Sequence, residues 1–465
     1  MPSRQDQLHS YQFMVQRVVG ALVQRETDPA QSPFRRAAGA TLASVLIALI
    51  LIGGSVVYGL FVGGGATKWK DPKVVIVEKE SGAQYVYYEE KLHLVLNYAS
   101  ALLIVDNPQP KTVSVSRKSL EGAPRGVPLG IPDAPESLAP ANRLNADPWT
   151  VCSAPRAGSG PQPAQSALLI GEKADGGRAL GEQGLLAQHP DQSLYLIWQN
   201  RRHLIRDRTL VLNALTWNSA RPVAVAPALL NALPAGADLA RIPIADQGEP
   251  SEAVQGAEIG EVFLVERVGG GGGQYVVARR DGLANITELQ ASLLLADLRQ
   301  DDPTEMTLAR YAAIDKVASP VPDDEAAAPE SIPDLATAEG NVVCADAAEN
   351  GGVREVRTGA SLPDLSGVAG TTARSPQGGG LADHVLVTPG RGAVVEAAAA
   401  PGASGGALSI ITDLGRRHPV MNTQVLATLG YGNVKPVRIA ASLVALVPDG
   451  AALDPAAARR AAVQD

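Results

Sequence analysis

The dominant pattern in the chain is one uncharged apolar run, Ala37 to Ala66, which reads AAGATLASVLIALILIGGSVVYGLFVGGGA. As a helix, its most apolar part, about Ala40 to Val62, is long enough to cross a hydrocarbon core of roughly 30 Å. A helix bonds its backbone polar groups within the segment, so the run can sit in lipid. A buried core helix of this length without charge is rare in soluble domains. A cleaved signal sequence fits poorly, because the run is too long, starts far into the chain and lacks a clean A-x-A exit. The expectation is one uncleaved transmembrane helix.

Before this run, Leu8, Tyr11, Val15, Val18, Val19 and Leu22 recur at helical spacing, with Gln16, Arg17 and Gln24 on other faces. They predict an amphipathic helix of about four turns. It either lies on the membrane interface or docks a partner; Asp6 and Glu26 dilute the basic face that lipid favours, which weights the docking role. Asp28-Pro29 and Ser32-Pro33 break it before the apolar run.

Beyond Lys68 the hydrophobic pattern recurs. Residues 194–239 align without a gap to 408–453: Leu194, Arg202, Pro222, Leu229, Pro234 and Gly236 match Leu408, Arg416, Pro436, Leu443, Pro448 and Gly450. Weaker copies begin at Tyr85 and near Gln274. Each reads as strand, basic polar turn, strand, helix, strand and short helix, a small α/β unit. The copies are not contiguous, unlike those of a solenoid. The segments between them carry strand-like runs of their own, Ala167–Gly171, Glu261–Val268, His384–Val387 and Ala393–Val395. The expected class is α+β: one N-terminal transmembrane helix, then a domain with a central β core and four small α/β repeat units. The expected division is 1–36 (helix and linker), 37–66 (transmembrane), 67–130, 191–240, 273–325 and 407–455 (repeats), 131–190, 241–272 and 326–406 (core segments and linker), and a tail, 456–465. Residues 124–163 and 299–382, rich in Pro, Ala, Gly and Asp, read as long irregular connections.

Charge and composition narrow the function classes. The net charge is −8, with both signs interspersed, which argues against nucleic acid as a partner. Positive charges flank the apolar run almost evenly, with Arg25, Arg35 and Arg36 before it and Lys68, Lys70, Lys73 and Lys79 after it, so charge does not orient it. The two cysteines, Cys152 and Cys344, are ordinary buried thiols if the large domain is cytosolic and a disulfide if it is exported.

Candidate catalytic signatures are weak. No G-x-x-x-x-G-K-[ST] occurs. Gly269–Gly273 sits between two strand-like runs and reads as a hairpin connection, since a phosphate loop opens a helix. Gly402–Gly406 imitates a nucleophile elbow around Ser404, with His384 and His418 nearby in sequence, but a strand follows where a helix is needed, so it reads as a turn. The six histidines form no metal-ligand spacing, and His203 and His418 are expected at the surface of turns. The candidate catalytic, cofactor-binding and metal residues are therefore none. A wall-polymer binding domain is a further class, disfavoured by an aromatic content of 4%.

The opening PSRQDQLHSYQFMVQRVVGALVQRETDP, the following SPFRR, the run ending GLFVGGG-x-x-x-W, the stretch TVSVSRKSLEGAPRGVPLGIPDAPESL and DPWTVC at Asp147–Cys152 resemble, in order and over the whole chain, the EccB membrane component of actinobacterial type VII (ESX) secretion systems. The resemblance implies a single-pass plasma-membrane protein with its N-terminus in the cytoplasm and its large domain outside. It implies a Cys152–Cys344 disulfide. It also implies a structural role in a complex with the EccC motor ATPase, EccD, EccE and the mycosin protease, with homo-oligomeric contacts. The family carries an ATPase label, so a nucleotide hydrolase with ATP as ligand is the alternative function.

Overall fold

The computed structural model describes residues 3–24, 33–62, 68–147, 149–156, 162–266, 273–321, 327–349, 351–372, 374 and 380–462. Two helices open the chain: α1 (Arg4–Gln24) and α2 (Pro33–Val62). The predicted breaks at Asp28-Pro29 and Ser32 lie outside the described residues, as do Gly63 to Ala66. A β-rich domain follows.

Unit 1 contains β1 (Val74–Glu78), β2 (Gln84–Tyr88), β3 (Lys91–Leu94), α3 (Tyr98–Val105), β4 (Lys111–Val115) and α4 (Arg117–Leu120). Next come β5 (Thr150–Ala154), β6 (Gln165–Ile170) and β7 (Arg178–Ala179). Unit 2 holds β8 (Leu185–Gln188), β9 (Leu194–Trp198), β10 (Arg201–Ile205), α5 (Arg208–Ala214), β11 (Val223–Ala224) and α6 (Pro227–Ala232). Unit 3 holds β12 (Val262–Glu266), β13 (Gly273–Ala278), β14 (Leu283–Ile286), α7 (Glu288–Leu298), β15 (Thr304–Met306), α8 (Leu308–Ala313) and β16 (Lys316–Val317). Then come β17 (Val343–Ala347), β18 (Val353–Thr358) and β19 (His384–Val387). Unit 4 holds β20 (Ala393–Ala398), β21 (Ala407–Ile411), β22 (Arg417–Val420), α9 (Thr423–Leu426), β23 (Val437–Ala440) and α10 (Ala441–Val444), and α11 (Pro455–Ala458) follows.

The four units share one strand order. Sheets run β3-β2-β1-β4, β10-β9-β8-β11 and β22-β21-β20-β23, and unit 3 runs β15-β12-β13-β14-β16. In each, two antiparallel pairings are followed by a helix that returns the chain to a strand parallel to the first. The helix starts with a cap each time: Asn97, Asp207, Thr287 and Asn422 accept from the backbone N–H three residues on, at 3.0, 3.3, 3.2 and 3.0 Å. Residues 124–163 and 299–382 are not merely irregular connections. They carry β5, β15, β17 and β18.

The central sheet has the order β19-β6-β5-β17-β18-β7. The runs Ala167–Gly171 and His384–Val387 supply β6 and β19, as expected of core strands. The other two expected core runs do not enter it. β12 and β20, from Glu261–Val268 and Ala393–Val395, are the first strands of units 3 and 4. Each unit thus begins one strand earlier than the alignment suggested. The two strands are as apolar as core strands because they lie in the middle of their own small sheets.

The aligned register also shifts. The ungapped match sets His203 opposite Arg417, but His203 pairs with Leu196 where His418 pairs with Ile410. The turn of unit 4 between Ile411 and Arg417 is one residue longer than the Ile197-to-Arg202 turn of unit 2, where Gln199 and Asn200 take positive φ of 44° and 62°.

Units pack in pairs. Val75, Val86, Leu102 and Leu103 of unit 1 share a core with Val394, Ile410, Val425 and Leu429 of unit 4. Leu196, Leu212 and Leu215 of unit 2 share one with Val262, Leu289 and Leu294 of unit 3. The central sheet buries Val151, Leu168, Val343 and Val385 against α6 and α10.

Candidate functional site

α2 contains Gly39–Val57, a 19-residue stretch of mean hydropathy 2.4 whose residues are all exposed. It is not buried as a core helix is: Leu42, Leu49, Ile50 and Leu51 are each 62–70% exposed. The stretch spans about 28 Å at 1.5 Å per residue, which matches a hydrocarbon core. Its two serines bond back into the helix, Ser44 Oγ donating to the Ala40 carbonyl at 2.6 Å and Ser55 Oγ to the Ile52 carbonyl at 2.8 Å. Lipid therefore meets no unpaired hydroxyl at these positions.

α1 carries the predicted stripe. Leu8, Tyr11, Val15, Val18 and Leu22 are exposed, and Val19 is half-buried. Phe13, Met14 and Val23 are exposed as well, and Phe13 lies off the stripe, on the opposite face. The sequence reading missed a capping box: Ser3 Oγ accepts from the Asp6 N–H at 3.3 Å, and Asp6 Oδ2 accepts from the Ser3 backbone N–H at 3.1 Å. The Ser-x-x-Asp spacing was the available signal.

Cys152 on β5 and Cys344 on β17 are directly opposed in the central sheet, with Cα atoms 4.0 Å apart and an S–S bond of 2.05 Å. Both are fully buried. Two residue pairs away, Asp346 is 4% exposed and accepts from Thr150 Oγ1 at 2.6 Å, Arg357 Nε at 2.8 Å and Arg357 Nη2 at 3.1 Å. Arg357 also donates to the carbonyls of Ala174 and Gly176. This cluster ties three strands and a loop together; every carboxylate oxygen is engaged.

The candidate chemistry is not assembled. Gly269–Gly272 lie outside the described residues; β12 and β13 pair across them, with Glu266 opposite Gly273, as in a hairpin. His418, the candidate base nearer to Ser404 in sequence, commits Nδ1 to the Ala451 carbonyl at 3.0 Å. His203 and His418 are not surface residues: they are 0% and 2% exposed, in strands rather than turns. Burial holds both below the ordinary histidine value, against a rise from their carbonyl partners. A cleft of about 660 Å³ between units 1 and 4 is lined by Gln109, Asn142, Asn145, Asn433 and Lys435. Its lining holds no carboxylate, histidine, cysteine or serine, so Lys435 has no acid–base partner there. Among the described residues no group of three metal-ligating side chains occurs.

Comparison with known proteins assigns the chain. A family model described as "Type VII secretion system ESX-1, transport TM domain B" matches residues 1–463. The ESX-3 secretion system ATPase EccB3 of Mycolicibacterium smegmatis is 28% identical over 473 residues, covering 96% of this chain and 88% of that protein. The ESX-2 secretion system ATPase EccB2 of Mycobacterium tuberculosis is 34% identical over 229 residues, covering 47% of this chain and 45% of that one. Among solved structures, a chain of an intact ESX-5 inner membrane complex matches with a TM-score of 0.66 and 25% identity, over 100% of this chain and 96% of its own. An EccB3 dimer from the ESX-3 core complex matches with a TM-score of 0.62 and 27% identity, over 83% and 100%. With a spanning-length helix, a β-rich domain of the same fold and a family match from end to end, this chain belongs to the EccB family of type VII secretion membrane components.

Proposed function

We propose that the chain is an assembly subunit that holds an ESX membrane complex together across the bilayer. The observation that carries this is the division made by α2. On one side lies a helix with a largely exposed apolar stripe, and on the other a large domain cross-linked through its central sheet. In this reading α1 faces the cytoplasm and docks the complex's cytoplasmic-side members. The β-rich domain stands outside and meets copies of itself. The disulfide supports that orientation, because such bonds persist in oxidising compartments. The EccC motor, EccD, EccE and the mycosin protease are the proposed partners. The relatives' names include the word ATPase, but this sequence has no Walker A pattern, and the reading stays with assembly.

Orientation is tested by adding protease to spheroplasts that carry an N-terminally tagged chain. The reading expects residues beyond Lys68 to be cleaved while the tag is protected until the membrane is lysed. A tag lost from intact spheroplasts, with the large domain protected, overturns it.

A further inference from the structure

Three buried histidines occupy one position in three different units. His93 on β3, His203 on β10 and His418 on β22 are 6%, 0% and 2% exposed. Each ring rests against a glycine on the segment that closes its unit. A Cβ on Gly126, Gly236 or Gly450 would lie 2.0, 2.2 or 2.3 Å from the ring's Cε1, so only hydrogen fits there. The glycines sit in Pro124-Arg125-Gly126, Pro234-Ala235-Gly236 and Pro448-Asp449-Gly450. In each, the strand N–H before the histidine donates to the proline carbonyl, and the glycine N–H donates back.

The ring nitrogens have distinct roles. Nδ1 of His93, His203 and His418 lies 2.8, 2.9 and 3.0 Å from the carbonyl of Val127, Ala237 and Ala451. A carbonyl only accepts, so Nδ1 holds the proton and Nε2 of the neutral ring is a bare lone pair. In His93 and His203 that Nε2 is buried without a partner. The surroundings supply it no acceptor. Near His203 stand Arg201 on its own strand, the Trp198 ring, and Asp238 on the closing segment, which is paired with Arg206. Near His418 stands Arg416, while Arg417 and Asp449 pair with each other. Beside His93 are the Tyr88 ring and, on the closing segment, Arg125 stacked over Tyr85.

Unit 3 inverts the pair. Ala284 faces Val277 as His203 faces Leu196, and Val317 stands where the other units have glycine. The large-against-small contact becomes small against medium, with Ala284 fully buried and nothing to titrate.

We propose that the His93–Gly126, His203–Gly236 and His418–Gly450 pairs are acid-sensitive latches: proton uptake at Nε2 releases the closing segments of units 1, 2 and 4, while unit 3, closed by Ala284 and Val317, stays shut. At His93 and His203 protonation would set an N–H⁺ where no acceptor waits, and opening returns it to water; at His418 the cost is the burial of a charged ring. The sign follows from that. An opened segment's histidine takes a proton from about pH 6.5, whereas burial holds His203 and His418 lower while their units are closed. In units 2 and 4 closure is therefore fully favoured above about 6.5 and weakens as pH falls, the opening constant rising by up to about tenfold per pH unit for each of the two. The strand partners of these histidines, Val86, Ile410 and Leu196, belong to the cores shared by paired units, so release loosens the pairing faces.

Hydrogen exchange of the full chain in detergent at about pH 7.5 and about pH 5, bracketing the ordinary histidine value, tests this. After correction for intrinsic rates, segments 124–129, 234–239 and 448–453 should exchange faster at the lower pH, and 315–317 should not. The variant H203A/G236V, which carries unit 3's pair into unit 2, should lose the response at 234–239 and keep it in units 1 and 4. An equal acid response at 315–317, or an undiminished one at 234–239 in the variant, overturns the proposal. If that variant misfolds, H418A/G450V asks the same of unit 4, and the wild-type contrast with unit 3 decides unaided.

Discussion

At the scale of single residues, the central sheet depends on a buried carboxylate that Arg357 and Thr150 satisfy together. Arg357→Leu would leave Asp346 charged, buried and short of its main cation. Breaking such a pair from one side costs about 3–5 kcal/mol, so denaturant unfolding should shift by that amount, and D346N/R357L should recover part of it. Equal stability of the wild type and Arg357→Leu would remove Asp346 from the account. Nothing in the sequence marked this pair, because Asp346 and Arg357 lie on different strands and their meeting depends on β17–β18 register. The histidines were misread for a related reason. Arg201-Arg202-His203 and Arg416-Arg417-His418 look like solvated turns, and only a glycine some thirty residues later shows that the ring is inside.

At the scale of elements, the second helix of each unit decides how the unit is mounted. In units 2 and 4 it is apolar: Leu229, Leu230, Leu443 and Val444 are at most 1% exposed and pack on the central sheet. The equivalent turns in units 1 and 3 carry Arg117, Lys118 and Arg310, all exposed, and α8 buries none of its residues. The same backbone thus serves as a plug or as a surface, according to whether two or three side chains are apolar. Leu443→Lys should cost at least about 3 kcal/mol and loosen unit 4 from the centre, whereas Arg310→Leu should leave stability within about 0.5 kcal/mol. Thermal melts of the two variants check this; similar shifts for both would contradict it. The difference was present in the sequence as Leu229 and Leu443 against Ser119 and Arg310 at the matched position. The apolar runs that became β12 and β20 were legible as strands but not by sheet, since a short β-branched run does not name its partner.

At the scale of the whole molecule, the membrane helix was legible because length and lack of charge need no pairing information. The disulfide was legible only with a compartment and a family in hand, although the two cysteines prove to be direct neighbours across β5 and β17. It closes a loop with a sequence separation of 192, which on the chain-entropy model stabilises the fold by about 5 kcal/mol. C152A/C344A should therefore keep the fold but unfold at markedly lower denaturant than the wild type, with intact hydrogen bonding between Thr150 and Asp346 around it; an unchanged midpoint would show that the sheet alone sets stability. The central claim is that this chain holds a complex together from both faces of the membrane, with α1 as one of its grips. Native mass analysis of the detergent-extracted complex, made with the full chain and with residues 3–24 deleted, tests it most directly. The account predicts that the full chain extracts in a large assembly with other ESX components, and that the deletion variant keeps its Cys152–Cys344 bond yet leaves the assembly. A deletion variant that assembles as well as the full chain, or a full chain that extracts alone, would contradict it.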